Sequence, residues 1–171
     1  MNALSCARLS GLVLGVALLL GLPAMAEDTA QPAPTTPTVT AAEALAAWDR
    51  FRAAPAEKLA EAPTFLKFMQ SGEVHTVLRN DVVFWMYQPY PQDLQAVLYA
   101  AYMGGNLDSQ LRGKRQGDDP EAGMRAALDA WAGLKKSHPK LSMPQLDEWE
   151  KARQEGRLAA ALEAGATPPQ R

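Results

Sequence analysis

Only one run in this 171-residue chain, positions 82–87, is dense enough in β-branched and aromatic side chains to form a buried strand. Val82, Val83, Phe84, Trp85, Met86 and Tyr87 follow one another between Asp81 and Pro89. Periodicity does not separate a short buried strand from a buried helical turn in such a run. A strand needs a neighbour for its main chain, however, and no second run of this kind exists after residue 26. Helix or an extended buried segment is therefore expected at 82–87. The fold class that follows is all-α, a small irregular bundle or array of helical hairpins.

The helical signals are spread along the chain. Thr40 with Glu43 three residues on forms a capping box. The helix it opens carries Leu45, Trp48 and Arg52 on one side with Phe51 beside them, and it ends before Pro55. A short helix over 57–61 is expected next, then one opened by Pro63 with Phe65 and Met69 facing inward. Val74, Val77 and Leu78 have helical spacing, closed by Asn80 and Asp81. Pro91 opens a helix with Leu94, Val97, Leu98 and Ala101 inside, which Gly104 and Gly105 are expected to end. Asp119 caps another with Pro120 at its first position, Met124, Leu128 and Trp131 inside, and Arg125 and Asp129 as an exposed pair. His138 and Pro139 stop it. Ser142 and Gln145 read as a second capping box before Leu146 and Trp149. Gly156 leads into a last helical face of Leu158, Ala161 and Leu162, ending at Gly165.

The first 26 residues read as a secretory signal. Arg8 precedes the apolar run 9–22, and Ala24 and Ala26 stand at the small positions of a cleavage site before Glu27. The run is shorter than the roughly 20 residues that span a bilayer, so no transmembrane anchor is expected after cleavage. Cys6 would be lost with it, leaving no cysteine in the 145 residues that remain of 171 once 26 are removed. That composition excludes disulfide staples, Cys-based zinc sites and cysteine nucleophiles. Positions 27–40, with Pro32, Pro34 and Pro37 among Thr and Ala, read as a disordered linker. Positions 41–165 form the single helical domain, and 166–171 a frayed tail. The location implied is periplasmic or secreted.

With 17 basic and 19 acidic residues, the chain has no broad electropositive surface, and no nucleic-acid partner is expected. The basic cluster Arg112, Lys114 and Arg115 is offset by Asp118, Asp119 and Glu121.

A local phrase recurs at Gly72, Gly105 and Gly156: a helix meets glycine, and an aliphatic side chain follows two residues later (Val74, Leu107, Leu158). The first two glycines are 33 residues apart and the next pair 51, so the spacing is irregular. Leu98, Ala100, Ala101, Gly105 and Leu107 together resemble the first helix, closing glycine and second-helix start of an ankyrin repeat. Gly156, Leu158, Leu162, Gly165 and Pro168 resemble that family's second helix and following turn. The resemblance implies stacked helical pairs with a protein-binding face. The family's Thr-Pro-Leu-His opening is absent, and generic helical hairpins account for the same residues.

No catalytic motif is present. His75 and His138 have no metal-ligand spacing, and no cofactor or metal is expected. Asp81, Asp93 and His75 are the candidate catalytic groups, for acid–base work on a cell-wall glycan with nearby aromatics to stack sugar rings. Trp85, Tyr87, Tyr90, Tyr99 and Tyr102 are the candidate binding surface, because such rings combine contact area with a polar handle. Two readings follow. One is a helical protein-interaction module with a partner in the cell envelope. The other is a small envelope hydrolase or carbohydrate-binding protein, which requires a pocket with converging carboxylates, or a carboxylate and His75; Asp81, Asp93 and Asp108 are the acids to examine.

Overall fold

Thr40 begins the ordered helical part as its side chain predicts. The Thr40 hydroxyl accepts from the Glu43 amide at 3.3 Å, and the Glu43 carboxylate accepts from the Thr40 amide at 2.8 Å. A computed structural model describes residues 38–165. The expected signal at 1–26, the linker up to residue 37 and the tail 166–171 lie outside the described residues.

Among the described residues there are six α-helices and no strand: α1 (Ala41–Ala53), α2 (Ala62–Met69), α3 (Gln92–Leu111), α4 (Pro120–Ser137), α5 (Pro144–Gln154) and α6 (Leu158–Ala164). The expected all-α irregular bundle is what forms. The core of α1 is Ala44, Ala47, Trp48 and Phe51, whereas Leu45 is half-buried and Arg52 exposed. The inward face is thus turned by one position, because two alanines let α1 approach its neighbours. Trp48, Phe51 and Phe65 of α2 form an aromatic triad with ring centroids 5.6–5.8 Å apart. Trp48 and Phe51 stack, and both meet Phe65 edge-on; such aromatic contacts add roughly 0.5–1.5 kcal/mol each beyond area burial. The expected helix at 57–61 shrinks to a 3-10 turn, Leu59–Glu61.

Between α2 and α3 the chain departs most from expectation. Gly72, at φ +86°, ends α2 by reversing the chain, but no helix follows at 74–80. Only Val74 of the expected inward trio is buried; Val77 and Leu78 are exposed. Val74, His75, Thr76 and Val77 are weak helix formers, and the side-chain amide of Gln110 on α3 takes the main chain of His75 instead. The apolar run then folds inward as a turn and a 3-10 helix, Phe84–Tyr87. Val82, Val83, Phe84 and Trp85 are buried, and Phe84 sets its edge against Trp149 of α5 at 5.6 Å. Gln95 donates to the carbonyls of Trp85 and Gln88 at 2.7 and 2.8 Å, closing this turn against α3.

The largest correction concerns α3, which runs unbroken through Gly104 and Gly105. These glycines mark a seam. The Trp48 ring occupies the space where a Gly104 β-carbon would stand, and at Gly105 that atom would lie 2.5 Å from the Ala122 carbonyl. Gly123 of α4 repeats the device against Tyr102. The helix accepts glycine, at about 1 kcal/mol relative to alanine, in return for close approach of three helices. The ankyrin-like phrase at 98–107 is therefore one continuous helix, without the turn that the resemblance implies.

The later helices follow their stripes. Asp119 Oδ1 accepts from the Ala122 amide at 3.1 Å, and α4 buries Met124, Leu128 and Trp131. Arg125 pairs with Glu121 rather than Asp129, which Arg153 of α5 engages at 2.5 Å. The capping box expected at Ser142 does not form. Pro144, lacking an amide and with φ already set, starts α5 with Met143 at the cap. Gly156, at φ +70°, turns α5 into α6, so α5 and α6 do form a hairpin.

Candidate functional site

The three candidate catalytic groups do not converge. His75 is held by its main chain to Gln110, with its side chain exposed. Asp81 is hydrogen-bonded by Arg79 at 2.5 Å, and that contact lowers its pKa below the usual carboxylate value. Asp93 is exposed in the first turn of α3 and lines a pocket to which neither of the others contributes. A cleft of about 500 Å³ between α1, α3 and α4 does hold two carboxylates, Asp108 and Asp129. Arg112 donates to Asp108 at 2.7 Å and Arg153 to Asp129 at 2.5 Å, so each acid already has a guanidinium partner.

The candidate aromatic surface is also divided. Trp85 and Tyr102 are both 0% exposed, which corrects the expectation that their rings stand at a surface. They belong to the core because the 3-10 turn folds Trp85 inward and Gly123 lets α4 close over Tyr102. Burial raises the Tyr102 pKa strongly above that of a free phenol, and nearby Asp118 acts in the same direction. Tyr90 and Tyr99 are half-buried against the core. Tyr87 alone points outward, at 63% exposure.

A different feature adjoins these residues. From 75 to 79 the chain forms no helix, turn or bend. At its start the Gln110 side chain acts as a strand neighbour: its oxygen accepts from the His75 amide at 3.0 Å, and its nitrogen donates to the His75 carbonyl at 2.6 Å. Gln110 is in turn tied to Asn106, a fully buried amide that donates to Asp118 at 2.6 Å. Among the described residues, the main-chain groups of Thr76, Val77 and Leu78 make no hydrogen bond. The Thr76 hydroxyl is buried without a partner there. Val77 is 57% and Leu78 42% exposed. The helical periodicity of Val74, Val77 and Leu78 concealed this run; the β-branched density of Val74, Thr76 and Val77 is the signal that marks it.

Among the described residues, no group of three or more His, Cys, Asp or Glu is placed to hold a metal ion. No helix there is long and apolar enough to cross a membrane. No protein-family model matches the chain, and comparison with curated proteins and with solved structures finds no match in either.

Proposed function

We propose that this protein is a helical protein-interaction module that works in the periplasm or outside the cell, after loss of its first 26 residues, and that it grips a partner along the 75–79 run. The observation that carries this reading is the combination of unpaired main chain with bare Val77 and Leu78. An open strand edge flanked by apolar side chains is a template for another chain, and folded proteins usually blunt such edges with charge, proline or a covering loop. Here it is left open and is held in place by Gln110.

When a run takes up a strand conformation, the main-chain groups of successive residues point to opposite edges. Gln110 fills the edge used by His75, so Thr76 and Leu78 address the other. An extended segment of an envelope protein adds there, with main-chain hydrogen bonds giving affinity and apolar side chains meeting Val77 and Leu78. Met86 and Tyr87, later in the same connection between α2 and α3, are exposed as well.

The test is a photo-crosslinking residue placed at Val77 or at Lys136, an exposed position on α4, in the intact producing cell. Crosslinking to one discrete envelope protein from Val77 and not from Lys136 supports the reading. Leu78→Pro removes one free amide without disturbing a helix, and it should abolish that crosslink while leaving the urea midpoint unchanged. Equal crosslinking from both positions, or a cytoplasmic protein with an uncleaved N-terminus, overturns it.

A further inference from the structure

A second pocket, of about 420 Å³, lies where the start of α3 meets the end of α4. Leu59, Leu94, Val97, Leu134 and Leu141 make its interior apolar. Its volume is in the range of small-molecule sites, roughly 300–1,000 Å³. Three polar side chains line it as well: Asp93 from the first turn of α3, His138 from the cap of α4, and Lys140 just beyond. All three are exposed, and none forms an ion pair or a side-chain hydrogen bond with another described residue. The contrast is with the adjoining polar side chains of α4 and α5, where Lys135 meets Asp147 at 2.8 Å and Arg153 meets Asp129 at 2.5 Å.

The charges determine what such a pocket accepts. Asp93 and Lys140 line one pocket with opposite signs, yet do not pair with each other. A ligand of one sign, such as a fatty acid or an alkylammonium, would gain at one residue and lose at the other. A ligand carrying both signs gains at both, while its apolar body replaces water against Leu94, Val97 and Leu134.

We propose that this pocket binds a zwitterion with an apolar body, namely an apolar amino acid or a short apolar peptide with free ends. Its ammonium donates to Asp93, and its carboxylate is met by Lys140 with His138 beside it. This site is separate from the 75–79 run, and either proposal can fail without the other.

The experiment is a titration of the isotope-labelled protein, followed by amide chemical shifts. The probes are leucine, leucyl-leucine, the N-acetyl and the C-amidated dipeptide, and decanoate. Saturable shifts at Val97, Leu134 and Leu141 are expected with leucine or leucyl-leucine. The tighter of the two assigns the amino acid or the peptide. Blocking the amine should weaken binding about tenfold or more in the wild type but hardly at all in Asp93→Asn. Amidation should do the same, with Lys140→Gln as the insensitive variant. Both substitutions are at exposed positions, and an unchanged urea midpoint confirms that each variant is folded. The proposal is overturned by absence of saturable shifts with both zwitterions, by decanoate binding as tightly as they do, or by blocked and free dipeptides binding alike.

Discussion

The indole of Trp48 lies against Gly104 of α3 so closely that a β-carbon at position 104 would overlap its six-membered ring. Gly104→Ala therefore forces Trp48 or α3 to move. Overpacking of this kind costs roughly 1–3 kcal/mol, which exceeds the helix-propensity gain of about 1 kcal/mol. Gly133→Ala is the control, since nothing lies within 4 Å of its missing β-carbon. It should stabilise by about 0.5–1 kcal/mol. Urea midpoints moving in opposite directions are expected, and a stabilised Gly104→Ala would refute the close-packed seam.

Asn106 is 0% exposed and joins α3 to the loop before α4 by donating to Asp118. Its oxygen also accepts from the Gln110 side chain, so one amide supports both that loop and the 75–79 run. Asn106→Leu leaves the part-buried Asp118 and Gln110 side chains without this partner and should cost roughly 1–3 kcal/mol in chemical denaturation. Amide exchange at His75 should also accelerate, because its pin is loosened.

Tyr102 presents the opposite case. Its hydroxyl is buried without a hydrogen-bond partner among the described residues. Tyr102→Phe removes a desolvated polar atom and keeps the ring, so stability should be unchanged or raised by up to about 1 kcal/mol. A loss larger than that in calorimetry would show that the hydroxyl is satisfied.

Arg112 donates to both oxygens of Asp49, at 2.9 and 2.5 Å, and this hydrogen bonding holds the Asp49 pKa below its ordinary value. A carboxyl lowered in the folded state stabilises above its unfolded pKa, near 3.9, and that contribution is lost as pH falls through the folded value. Asp81, beside Arg79, acts in the same direction. The urea midpoint should therefore decline as pH drops below about 4, and more gently in Arg112→Gln than in the wild type. Equal acid sensitivity of the two proteins would count against the Asp49 contact.

The caps and stripes were legible because they are local. Thr40 with Glu43, Asp119 before Pro120, and Met124, Leu128 and Trp131 at helical intervals each carry their physics within a turn or two. The Ser142 cap failed locally, since Pro144 starts α5 from Met143; the larger failures depended on distant neighbours. Gly104 and Gly105 have the composition of a helix end, and only the Trp48 ring and the Ala122 carbonyl reveal them as contact points. Val77 and Leu78 match a helical face, but the side chain of Gln110, 35 residues from His75, takes the main chain there instead. Asp93 was singled out for catalysis. What marks it in the structure is a pocket shared with His138 and Lys140, residues more than 40 positions away.

The single glutamine clasp on His75 also limits what can be built on that edge. Because one flank is taken by a side chain rooted in a helix, a guest that lies down on the opposite flank finds no continuation behind it. Company is therefore admitted from one side only, and the helix that carries Gln110 decides which.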